Sequence, residues 1–282
     1  MKRRHFAILA VMLLSVAPSL LAQQSMTPAE AHDLVARTVK NELGGTAGLE
    51  FRFTLRKTDE KGETTKYLIE TKDGDVARLV ELNNAPLTPE REKQEQERLD
   101  NLLAHPEEQA HRHQKELEDS KRGDKMVRVL PDAFVYKFLG MGEQAGNPCY
   151  RLGFVPNPNF VPPDRESQVY HGMQGELWID QKYERLVRMD AHLISDVNFG
   201  WGILGKLNQG GSILVEQEDV GSNHWEQNLL KLNLTGTILL IKPLVIKTTE
   251  IESDFQQVPK SWTYQDAIRA LKATPTPPPK PK

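Results

Sequence analysis

Apolar and polar residues alternate along one segment after another, and this two-residue period restricts the fold more than any other feature of the chain. Leu49, Phe51, Phe53 and Leu55 are separated by Glu50, Arg52 and Thr54, with Arg56 next. Successive side chains of a strand point to opposite faces, so such a segment builds a sheet with one buried face and one wet face. Asp59-Glu60-Lys61-Gly62 reads as a hairpin turn, residues 65–71 as the return strand, Asp73-Gly74 as a second turn and residues 76–82 as a third strand. Phe134, Tyr136 and Phe138 alternate with Val135 and Lys137, and Cys149 to Phe154 pairs next. Residues 169–180, 184–193, 212–220, 224–234 and 236–250 bring the expected total to about ten strands. Tight turns between neighbours imply antiparallel pairing. Pro156, Pro158, Pro162 and Pro163 make residues 155–164 a stiff loop.

Helical segments punctuate the strands. Thr27 can cap, Pro28 suits a first helical position and Glu30 completes a capping box. Ala31, Leu34, Val35, Thr38 and Val39 then recur at helical spacing until Gly44-Gly45. From Thr88-Pro89 to about Lys121 the sequence turns to Glu, Gln, Arg, Lys and His, with Leu99, Leu102, Leu103, Ala110 and Leu117 as a thin apolar stripe. A stripe so narrow suits a helix lying on a surface, kinked at Pro106. A short helix is expected over 264–272, where Ala267, Ile268 and Leu271 share one side. The fold class is α+β: a large, curved antiparallel sheet with an N-terminal amphipathic helix, a charged helical insertion at 88–122 and a short C-terminal helix.

The first 22 residues read as a secretory signal peptide, with Lys2, Arg3, Arg4 and His5 before an apolar run from Phe6 to Val16 and a cleavage point after Ala22. The chain is expected outside the cytoplasm, in the periplasm or associated with the cell envelope. Residues 23–272 form a single domain, and 273–282 a Pro-rich disordered tail. A formal net charge of −3 argues against nucleic acid as a partner. Aromatic residues make up 7% of the chain, too few for the girdles of an outer-membrane barrel. Cys149 is the single cysteine, so no internal disulfide forms, and it reads as a small buried hydrophobe in a strand.

Motifs for chemistry are weak. Gly200-Trp201-Gly202-Ile203-Leu204-Gly205 has the letters of a dinucleotide fingerprint, but no parallel βαβ unit surrounds it. His105, His111 and His113 lack the spacing of a metal site on a helix. No nucleophile elbow occurs, and no acidic residue stands in an apolar run that would raise its pKa. No catalytic residue, metal or cofactor is expected. The remaining signal is apolar: Phe51, Phe53, Leu55, Phe134, Tyr136, Phe138, Leu239 and Ile241 either fill an ordinary core or line a cleft for an acyl chain.

Gly175-Glu176-Leu177-Trp178-Ile179-Asp180, then Tyr183 and Arg185-Leu186-Val187-Arg188-Met189, form a strand, a turn and a strand. Together with the leader, the capped helix, Leu204-Gly205-Lys206-Leu207, Gly210-Gly211 and Trp225, they resemble exported bacterial proteins related to the LolA-like lipoprotein-carrier half-barrels. The likeness spans roughly residues 27–256, in weak structural motifs. It implies a half-barrel wrapped around helices, with an apolar cavity for lipid or lipoprotein acyl chains. It carries over no functional residue, and the charged insertion departs from the carrier pattern. The expectation is a non-enzymatic envelope protein binding a lipid or acylated protein. The alternative is a protein-interaction or envelope-sensing module acting through helix 88–122 and the Pro-rich tail.

Overall fold

The computed structural model describes residues 25–45, 48–200, 204–239 and 241–275. The segment expected to be a signal peptide, residues 276–282 of the Pro-rich tail and Trp201 to Ile203 of the glycine-rich motif lie outside them. The chain opens with α1 (Pro28–Gly45), followed by β1 (Glu50–Asp59), β2 (Gly62–Ile69), β3 (Val76–Leu82) and the short β4 (Ala85–Pro86). The insertion forms α2 (Pro89–Ala104) and α3 (Pro106–Arg128), and one turn, α4 (Leu130–Ala133), leads into β5 (Phe134–Gln144). Then come β6 (Asn147–Pro156), β7 (Met173–Asp180), β8 (Leu186–Leu193), β9 (Val197–Phe199), β10 (Gly205–Leu207), β11 (Ser212–Asp219), β12 (Trp225–Ile238) and β13 (Lys242–Val258). Helix α5 (Tyr264–Ala273) follows.

All pairing is antiparallel, in the order β4-β3-β2-β1-β13-β12-β11-β8-β7-β6-β5, with β10 bridging β12 and β9. The sheet stays open, with edges at β4 and β5. Three helices start as the sequence predicts. The Glu30 amide donates to Thr27 Oγ1 at 3.2 Å while Glu30 Oε2 accepts from the Thr27 amide at 2.8 Å. Thr88 caps α2, and Thr263 with Asp266 forms a reciprocal box on α5.

The insertion breaks at His105, which stands at φ −124° and ψ 74°. The ring of Pro106 disfavours helical backbone on the residue before it, so one expected helix becomes two. Strand 169–180 begins later than expected. Residues Glu166–Gly172 form a 3-10 turn instead, held by Ser167 N–H donating to Asp164 Oδ1 at 2.8 Å. A further correction concerns Gly236. It is not a break between strands: β12 runs through it to Ile238, and β13 begins at Lys242. A glycine is needed there because the Lys206 carbonyl of β10 occupies the space a Cβ would take.

The helices are exchanged between the halves of the chain. N-terminal α1 packs on the late strands, where Ala31, Leu34, Val35 and Val39 meet Phe134, Tyr136, Leu152, Phe154, Leu177 and Ile179. C-terminal α5 packs on the early strands, where Ala267, Ile268 and Leu271 meet Ile69, Val76 and α2 residues Leu99 and Leu102. Ionic contacts pin both arrangements. Arg185 donates to Glu42 at 2.9 and 3.0 Å, and the Leu186 amide donates to the same carboxylate at 2.8 Å. At the other end Arg78 reaches Glu92 at 2.7 Å and the Leu271 and Thr274 carbonyls closing α5.

Arg185 is only 4% exposed, so removing its partner leaves a buried unpaired charge. Glu42→Ala is expected to cost about 3 kcal/mol. Denaturant titration checks this, and a loss below about 1 kcal/mol would mean that the pair does not anchor α1.

Candidate functional site

Directly paired residues of an antiparallel sheet share a face. On the face that α1 covers, one row can be followed strand by strand: Phe138, Leu152, Leu177, Met189, Val215, Leu230, then Glu250, Lys57 and Thr64. The row is apolar across six strands and closes on an ion pair, Lys57 Nζ to Glu250 Oε1 at 2.7 Å. A neighbouring row runs Tyr136, Phe154, Gly175, Ala191, Ile213, Leu232 and Thr248. The opposite face is polar along its matching row, with Arg151 over Trp178 at 4.8 Å and Arg188 paired to Glu216 and Asp190.

The inner face falls into two parts. Under α1 it is filled: Leu34, Tyr136, Leu152, Ile179 and Leu193 are fully buried. Beyond this core on the same face, the side chains Leu55, Leu68, Val215, Leu230 and Leu232 are half-buried and belong to neither core, while the α5 core lies on the opposite face, because Tyr67 and Ile69 alternate with Leu68. They form an apolar floor in two strips, Val215, Leu230 and Leu232 on β11 and β12 and Leu55 and Leu68 on β1 and β2, divided by Thr248, Glu250 and Glu252 of β13.

Helix α3 passes from one side of the sheet to the other. At its start Gln109 donates to the Asp73 carbonyl at 3.0 Å, and Glu116 accepts from the Asp75 amide at 3.2 Å. At its end Met126 and Val127 pack on the α1 core, and the Tyr170 hydroxyl donates to the Met126 carbonyl at 3.1 Å. Gln109 to Met126 covers about 26 Å of helix at 1.5 Å per residue. The strands from β3 to β5 would cover about 43 Å if flat. The sheet therefore curves, and α3 is a chord across the curve. All of residues 117–125 are exposed, so no face of this stretch is packed.

The predicted lining residues are dispersed. Phe53 and Leu55 lie on or beside the floor, and Phe53 stacks on Phe255 with ring centroids 5.2 Å apart. Phe51 is buried at the floor's end against His224, 4.8 Å between ring centroids. Phe134 and Tyr136 belong to the filled core, and Phe138 borders a cavity of about 250 Å³ beside Leu34, Arg37 and Tyr150. Leu239 and Ile241 stand on the exposed β12–β13 turn, away from the others. Six strands separate β1 from β5, so the two aromatic triplets do not converge.

Sequence reasoning missed a group of carboxyls at the Phe51 end of the floor. Burial, reinforced by Glu226, pushes Glu70 up to about 8. Burial and the neighbouring Glu116 push Asp75 to about 7, and burial with Glu226 and Glu250 does the same to Glu252. Glu70 also accepts from the Phe51 amide at 2.8 Å. None of the three stands in an apolar run, because strands and turns distant in sequence bury them. Cys149 is buried in β6, with its thiol pushed up to about 11 by burial. Among the described residues, no group of three His, Cys, Asp or Glu is placed to hold a metal, and no helix is long and apolar enough to cross a membrane.

No protein-family model and no curated protein matches the chain. Among solved structures it is similar to a LolA superfamily protein from Nitrosomonas europaea, at 9% identity over 81% of this chain and 94% of that one, with a TM-score of 0.29. It is also similar to a DUF1329 family protein from Desulfovibrio piger, at 11% identity over 87% of this chain and 100% of that one, with a TM-score of 0.31. The first carries the family name that the strand motifs resemble. At these TM-scores neither likeness carries functional weight.

The three raised carboxyls hold their protons in the folded chain at pH values where the unfolded chain has lost them. Folding takes up protons between about pH 5 and 8, and stability falls as pH rises through that window. Glu70→Gln is expected to raise Tm at pH 8.5 by about 3 °C or more and to leave it unchanged at pH 5. Thermal melts at the two pH values test this, and equal shifts at both would show that Glu70 is ionised throughout.

Proposed function

We propose that the chain is a non-enzymatic protein of the cell envelope that holds an apolar ligand, an acyl chain, on the inner-face floor beyond the α1 core. One observation carries this reading: Leu55, Leu68, Val215, Leu230 and Leu232 share an inner face, stay half-buried and join neither core. Apolar side chains in that position gain by meeting another apolar surface. Helix α3 supports the reading, because its middle spans the curve without filling it. The leader expected from the sequence supports a location outside the cytoplasm, where lipid and acylated proteins are available as ligands.

Magnitudes fit a chain rather than a small ring. Each buried methylene gains about 0.8 kcal/mol, so a dozen carbons gain about 9 kcal/mol if fully covered. The loss of translational and rotational freedom opposes this with about 4 kcal/mol or more. Short chains should therefore fail to bind and long ones succeed.

A second reading, a protein-binding module, is favoured by the fully exposed stretch 117–125. Charge reversal within that stretch, Lys121→Glu with Arg122→Glu, separates the two without touching a core: ligand binding survives on the floor, whereas partner capture is lost.

The direct test is native mass spectrometry with saturated fatty acids of increasing length. A stoichiometric complex with a twelve-carbon acid is expected, and Leu230→Lys with Leu232→Lys should weaken it by about tenfold or more. No complex at any length, or equal binding by the double variant, would overturn the proposal.

A further inference from the structure

The β12–β13 turn presents apolar side chains to solvent. Ile241 is 87% exposed and Leu239 61%, and Val245 and Leu204 beside them are also exposed. The segments belong together, since the Leu239 amide donates to the Leu204 carbonyl at 3.3 Å and β10 pairs with the end of β12. Exposed leucine and isoleucine gathered on one protrusion are unusual on a monomer surface and mark a contact site.

Leu239 adds an independent observation. Its backbone φ is +50°, a region that glycine, asparagine and aspartate occupy easily and leucine does not. A polar residue would relieve both the strain and the exposure. The turn instead keeps an apolar side chain where folding gains nothing from it.

The charge around the turn indicates what it meets. At this end of the sheet, β10, β12 from Asn228 and β13 as far as Thr249 carry Lys206, Lys231, Lys242 and Lys247 and no aspartate or glutamate, in a chain whose net charge is −3. Lys231, Lys242 and Lys247 are exposed, and Lys206 pairs with Asp196 at 3.0 Å. An apolar tip with Lys242 at its base and Lys247 farther along the same strand matches a bilayer with anionic headgroups, which accepts the apolar groups below the phosphates and the ammonium groups at their level.

We propose that the β12–β13 turn, through Leu204, Leu239, Ile241 and Val245 with Lys242 and Lys247 of β13, docks the protein on an anionic lipid surface. The docking goes beyond the ligand reading and does not depend on it. The two are also compatible in space, because Leu230, Leu232 and Leu234 run along β12 from the floor toward this tip.

Flotation with vesicles tests the docking. Every described element lies within residues 25–275, so the chain used begins at Gln23, free of the apolar leader. It is expected to float with vesicles of phosphatidylethanolamine and phosphatidylglycerol, and less with phosphatidylcholine alone or at raised salt. Leu239→Asp with Ile241→Asp should lower the bound fraction about tenfold. It should leave the circular dichroism spectrum unchanged, since both side chains are exposed. Lys242→Glu with Lys247→Glu should weaken binding to the anionic vesicles only. Equal flotation of the Asp variant and the parent would overturn the proposal, as would absence of parent flotation. Concentration-dependent dimers abolished by the Asp variant, without vesicle binding, would assign the tip to a second copy of the chain instead. Fatty-acid binding by the same variants is measured in parallel, so failure of docking and failure of the floor are read separately.

Discussion

Register holds this structure together. Eleven strands pair in one line, and a side chain's face follows from its place in the ladder. A slip of one residue in β11 or β12 would turn Val215, Leu230 and Leu232 outward and bring Glu216 and Lys231 onto the inner face. The bulges in β3, β5, β8, β12 and β13 permit the curvature without breaking the line. Curvature in turn lets a helix shorter than the flat sheet connect its two sides. Floor, chord helix and tip all follow from that ladder.

Local signals revealed the elements far better than the site. The two-residue period placed nearly every strand, and Thr27 and Thr88 marked helix starts because caps are settled within four residues. Gly236 misled, since its small size answers to the Lys206 carbonyl on another strand, a contact invisible along the chain. Phe134 and Tyr136 looked like Phe51 and Phe53 in pattern, yet strand order puts six strands between them. The floor leucines, Val215, Leu230 and Leu232, carried the same alternation as any core strand. Only the position of α1 tells which part of that face stays uncovered. The raised carboxyls Glu70, Asp75 and Glu252 had no sequence signal at all, because their burial comes from separate strands.

The charged insertion combines two roles. Its first half, α2, is structural: Leu99 and Leu102 are buried against α5, and Glu95 accepts from the Leu79 amide at 2.8 Å. The thin leucine stripe of the sequence is therefore a real packing seam over α2. Beyond His105 the stripe fades, and α3 is held at its two ends. A helix polar on all sides survives when its ends are anchored and its own backbone bonds are intact.

The exchange of α1 and α5 makes the two halves of the polypeptide interdependent. Cleavage within 117–125 would produce one fragment carrying α1 and β1–β4 and another carrying β5–β13 and α5. Each fragment would still hold the helix that seals the other's core, with β1 zipped along β13 between them. Two such pieces, expressed apart, contain everything needed to reassemble into one molecule, and neither alone can close its own interior.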